Sequence, residues 1–149
     1  DPDGVVGQAT AKALGLTLTN SVSSGGGSAT SNSSGDVYLL ARCIYGEARG
    51  EPYKGQVAVG AVILNRVKSS SFPNSISGVI YQQGAFSVVA EGQINLSPNE
   101  TAIKAAKDAM NGYDPTGGCL YYYNPDKTTN KWIWQRSVML VIGRHRFCK

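Results

Sequence analysis

The stretch Tyr45-Gly46-Glu47-Ala48-Arg49-Gly50-Glu51-Pro52 decides how the rest of the chain is read. Upstream, Asp36 can cap a helix over roughly 36–48 whose apolar positions include Leu40, Cys43 and Ile44. Glu47 follows Cys43 by four residues and Leu40 by seven, so it shares their face. A carboxyl group there sits against apolar side chains, at the helix end that carries negative partial charge. Both effects push its pKa upward, as a general acid working near neutral pH requires. Gly46, Gly50 and Pro52 break the chain and leave room for a cleft, and Glu51 beyond the break faces solvent or Arg49. Read alone, the run is equally a helix end with a solvated charge cluster.

The 149 residues suffice for one domain with a real core plus a small appendage. No apolar run reaches the length of a membrane span, so the chain is not expected to cross one. The first residues, Asp1-Pro2-Asp3-Gly4, read as a trimmed fragment without a signal peptide. The net charge of +4 comes from scattered Lys and Arg, which suits an anionic polymer and not nucleic acid. Cys43, Cys119 and Cys148 lack metal-type spacing, and the single histidine, His145, rules out most zinc hydrolase sites. A Cys-His pair from His145 and Cys148 fails because three residues along a strand puts them on opposite faces. No metal or cofactor is expected.

Residues 1–18 read as a turn and a short helix, and 19–35 as a flexible Ser/Gly linker, leaving 36–149 as the domain proper. A second helix spans about Tyr53 to Val67, with an Ala- and Gly-rich surface that allows close approach to the first. Gln56 and Asn65 on it are either solvated or hydrogen-bonded to Glu47. A short helix over Ile76–Tyr81, an extended segment from Gly84 to Val89 and a helix over Glu100–Asn111 follow. Residues 120–124 are β-prone, Trp132-Ile133-Trp134 alternates, Val138–Ile142 reads as a buried strand, and His145-Arg146-Phe147 returns. Helices first and a small antiparallel sheet last make an α+β fold.

Tyr121, Tyr122, Tyr123, Trp132 and Trp134 are many aromatics for so short a stretch. Alternation sends Tyr121 and Tyr123 to one face and Tyr122 to the other, so some rings can stack on sugars while others pack the sheet. Tyr121, Tyr123 and Trp132, beside the polar Asn124 and Asp126, are the choices for the cleft.

The sequence resembles the spore cortex-lytic enzymes of the SleB kind, within the wider cell-wall hydrolase family. The matching residues are Tyr45–Glu51, Gly55–Val59, Val62–Val67, Phe72-Pro73, Ala85-Phe86-Ser87, Tyr121–Pro125 and Ile142–Phe147, in order across 36–149. Asp3, Gly4, Gly7 and Thr10 look like the end of a peptidoglycan-binding repeat domain. Many relatives carry Gln where this chain has Ala85, so no substrate role is carried to that position.

The resemblance implies a lysozyme-like helical fold related to lytic transglycosylases, with Glu47 as the single catalytic residue. It implies cleavage of the bond between N-acetylmuramic acid and N-acetylglucosamine in spore cortex peptidoglycan during germination, giving a 1,6-anhydro product. A hydrolytic muramidase and a non-catalytic wall-binding module are the alternatives. Substrate contacts are expected from Tyr121, Tyr123, Asn124, Trp132, Phe86 and Gln56. The partner is the glycan strand, reached by a monomer that is secreted or spore-associated, and a regulatory protein partner is left open.

Overall fold

The computed structural model describes residues 34–128 and 131–149. The repeat-domain end at 1–18 and all but the last two residues of the linker lie outside the described residues. Helix α1 runs over Ser34–Ala48, so Asp36 lies in its first turn, where its charge suits the positive helix end, and does not cap it. Leu40, Ala41, Cys43 and Ile44 are buried. Gly46 is helical and does not break the chain; the break comes after Ala48, where Gly50 takes φ +87°.

Helix α2, Tyr53–Lys68, packs its Val57–Ile63 stretch into the core. A side-chain carbon on Gly60 would lie 3.0 Å from Ile44 Cδ1 and 3.2 Å from Ala109 Cβ, so its absence lets α2 approach its neighbours closely. The short α3, Ile76–Ile80, is capped by Ser75, whose hydroxyl accepts from Gly78 N. Helix α5, Glu100–Met110, is capped by Asn99 and buries an alanine stripe against both α1 and α2.

Between them the extended segment expected over Gly84–Val89 does not form. Phe86 is extended, but Ser87–Ala90 makes a helical turn, α4, followed by a 3-10 turn over Gln93–Asn95. The β-branched pair Val88-Val89 favours a strand locally; packing against α1 overrides it. A side-chain carbon on Gly46 would stand 2.6 Å from Val88 Cγ1, so glycine is what lets α4 dock there.

Strand β1 is Tyr121–Tyr123, β2 is Val138–Ile142 and β3 is His145–Cys148, an antiparallel sheet in the order β1-β3-β2. Tyr122 stands opposite Phe147, and Leu140 opposite Phe147 on the other side. This row faces the helical core. Tyr121 and Tyr123 face outward into a smaller cluster with Ile133 and Cys148. Trp132-Ile133-Trp134 is not a strand: Lys131–Trp134 forms a helical turn, α6, that lays Ile133 over that cluster. Nor is Val138–Ile142 a buried strand. As one of the two edge strands it leaves Val138, Met139 and Val141 exposed.

Candidate active site

The end of α1, the start of α4 and strand β1 meet at Glu47. Its Oε1 accepts a hydrogen bond from the Tyr122 hydroxyl at 2.7 Å, and its Oε2 faces Val88 N at 3.4 Å. Val88 N–H belongs to the first turn of α4, where backbone donors have no helical acceptor. Burial raises the pKa of Glu47, and the charge of Glu91 adds to this. The bonds from Tyr122, Val88 and Ser87 pull the other way without cancelling the burial. Glu47 is thus a carboxyl group held by Tyr122, Val88 N–H and the Ser87 hydroxyl and biased toward its protonated form.

Tyr122 joins this acid to an open groove of about 360 Å³, lined also by Arg66, Phe72, Ala85, Tyr121, Tyr123 and Trp132. The Tyr122 ring is fixed by Phe86 at 6.5 Å, His145 at 5.0 Å and Phe147 at 5.8 Å. Its own hydroxyl is held neutral, because burial and the neighbouring Glu47 push its pKa far up.

Arg66 is a buried cation whose side chain is faced by Phe72, Phe86 and Tyr121, with Nε donating to Leu120 O at 2.8 Å. Burial lowers its pKa, and the charge of Glu47 is among those opposing the shift.

A family model for cell wall hydrolases matches residues 50–148. The chain belongs to the cell wall hydrolase family. It is of the SleB type within it. The catalytic domain of the germination-specific lytic transglycosylase SleB from Bacillus anthracis superposes with a TM-score of 0.75 at 62% identity, over 78% of this chain and 96% of that one. The catalytic domain of Bacillus cereus SleB gives 0.76 at 61% identity, over 84% and 100%. A spore cortex-lytic enzyme of Bacillus cereus is 63% identical over 117 residues, covering 78% of this chain. This chain spans 45% of that relative's length.

The structure gathers some of the residues singled out in the sequence and separates others. Tyr121 and Trp132 meet edge-on at 5.4 Å along the groove. Tyr123 also lines the groove but is buried among Ile133 and Cys148. Phe86 is buried behind Tyr122 and Arg66, as a wall of the site. Gln56 is buried too, and its Nε2 donates to Glu51 O at 3.1 Å instead of reaching Glu47. Asn65 donates to Asp114 and Cys119 O. Asn124 Oδ1 accepts from Asp126 N, closing a turn.

Glu51 is buried and does not face solvent or Arg49. Its carboxylate accepts from Arg144 N at 3.0 Å and Arg144 Nη1 at 3.3 Å, which ties the β2–β3 turn to the start of α2. Arg49 lies over Tyr45 instead. Cys43 is a core thiol, raised far above its usual pKa by burial and so no nucleophile.

Tyr122, Val88 N and Arg66 are the site groups the sequence reading missed. Arg66 had a usable signal: it falls three, four and seven residues after Ile63, Val62 and Val59, on the buried face of α2. Among the described residues no helix is long and apolar enough to cross a membrane.

Proposed function

We propose that this chain is the catalytic domain of a lytic transglycosylase that cleaves the MurNAc–GlcNAc bond of spore cortex peptidoglycan during germination. The observation that carries this is one desolvated carboxyl group, Glu47, gripped by Tyr122 and Val88 N–H beside an aromatic groove. The likeness to an enzyme described as a germination-specific lytic transglycosylase supports it.

In this reading Glu47 protonates the glycosidic oxygen, and the leaving sugar departs with that proton. The 2-acetamido group of the remaining muramyl residue stabilises C1. Glu47, now a carboxylate held by Tyr122 and Val88, takes the proton from the C6 hydroxyl as that oxygen bonds to C1. The 1,6-anhydro ring closes and Glu47 is protonated again. Such acid and base assistance is worth about 10²–10⁴ in rate, and the groove supplies positioning beyond it. One protein carboxyl group suffices, which fits Glu51 being committed to Arg144.

A second reading is hydrolysis: the charge of Glu91 contributes to the raised pKa of Glu47, which makes Glu91 the other carboxylate to test as an activator of water. Glu47→Gln and Glu91→Gln, assayed for release of soluble fragments from purified peptidoglycan, test the assignment. The first should abolish release and the second should leave most of it. The reverse order would overturn the assignment of Glu47 as the acid.

A further inference from the structure

Helical geometry turns about 100° per residue, so Trp132 and Trp134 on α6 point in different directions. Trp132 goes to the groove, edge-on to Tyr121. Trp134 goes to the outer face of the sheet, stacked on Tyr123 at 6.1 Å and 27°, yet 51% exposed. Across the strands Tyr123 stands opposite Arg146, and Arg146 opposite Val141. Trp134, Arg146 and Val141 therefore lie side by side on one face.

That face is apolar and cationic at once. Val141 is 59% exposed, Arg146 is exposed, and Arg146 forms no salt bridge among the described residues. From Lys127 onward the sequence holds six Lys and Arg and no Asp or Glu. Exposed apolar patches on a folded domain mark contact surfaces, and Trp and Arg are the residues that most often carry binding energy there.

We propose that this outer face is a second, non-catalytic contact surface for cell-wall polymer, with sugar rings stacking on Trp134 and peptide carboxylates pairing with Arg146. The proposal rests on the reading of the chain as a glycan-cleaving enzyme. Two features select this partner. Peptidoglycan combines flat C–H sugar faces with carboxylates, which match a half-covered indole beside an unpaired guanidinium. The face is also continuous with the groove, since one helical turn supplies Trp132 to the groove and Trp134 to this surface. Holding a neighbouring part of an insoluble wall would keep the enzyme on its substrate between cleavages.

The test uses the whole chain carrying Trp134→Ala, Trp134→Phe or Arg146→Gln. Affinity is read by sedimentation with insoluble peptidoglycan in a Glu47→Gln background, so that the wall stays intact. Turnover of short soluble glycan chains is read with Glu47 restored. Trp134→Ala and Arg146→Gln should each weaken wall binding about fivefold or more while soluble turnover stays within about twofold. Trp134→Phe keeps a ring over Tyr123 and should bind between the parent and Trp134→Ala. The effect of Arg146→Gln should vanish on wall stripped of its peptides.

Variants that sediment like the parent would overturn the proposal. So would an equal loss of soluble turnover, which would assign Trp134 to the groove or to folding. Preferential binding of the parent to phosphatidylglycerol vesicles, lost in the same variants, would overturn it in favour of a lipid surface. Soluble turnover by the parent reports on the catalytic reading separately, so the two can fail independently.

Discussion

Tyr122→Phe isolates one bond at the centre of the site. The change deletes the hydroxyl that donates to Glu47 Oε1 at 2.7 Å and keeps the ring contacts to Phe86, His145 and Phe147. In the proposed cycle Glu47 begins neutral and becomes a carboxylate as the glycosidic bond breaks. A hydrogen bond to a neutral group is worth about 0.5–1.5 kcal/mol and one to a charged group about 1.5–3 kcal/mol. The bond therefore strengthens by about 1–1.5 kcal/mol along the reaction, which predicts a loss of roughly 5- to 13-fold in kcat.

The pH profile carries a second signature. Tyr122 lowers the pKa of Glu47 against the larger effect of burial. Removing the hydroxyl takes that opposing influence away, so the limb on which Glu47 ionises moves to higher pH. Rates against pH on soluble glycan chains measure both effects, and thermal unfolding checks that stability falls by no more than about 1.5 kcal/mol. A variant with unchanged kcat and an unmoved alkaline limb would refute the role of this bond.

Four other substitutions separate site from scaffold. Gly46→Ala drives a carbon to 2.6 Å from Val88 Cγ1, so overpacking should cost about 1–3 kcal/mol in unfolding measurements. It should lower turnover as well, because Val88 N moves away from Glu47. Glu51→Gln weakens the ties to Arg144 and should lower stability by about 1–3 kcal/mol while turnover per folded molecule stays near the parent's. Tyr123→Ala should cost roughly 3–5 kcal/mol of stability because the ring is buried, whereas Trp132→Ala, half exposed, should weaken glycan binding and barely shift unfolding.

What could be read from the sequence divides along physical lines. The helical periodicity of Leu40, Cys43 and Glu47 depends only on local geometry, and it leads to the burial and raised pKa found at Glu47. Alternation correctly separated Tyr122 from Tyr121 and Tyr123, but which face meets the helices is set by long-range packing. Phe147 stands between Tyr122 and Leu140 on that side, and nothing near 121–123 encodes that row.

The turn at 131–134 was illegible for a related reason. Its residues favour strands, yet a turn of helix is what brings Ile133 over Tyr123 and Cys148. Glu51 hides in the same way: its partner Arg144 lies 93 residues away. Val88 N is a backbone donor, so no side-chain pattern could announce it.

The most direct test of the central claim is the mass of the products made from purified peptidoglycan in heavy-oxygen water. Intramolecular attack by the C6 hydroxyl consumes no water. The account predicts fragments ending in 1,6-anhydromuramic acid, one water lighter than the hydrolytic product and free of label. Reducing ends carrying the heavy oxygen would contradict it and assign the chain to hydrolysis, with water attacking C1 in place of the C6 hydroxyl.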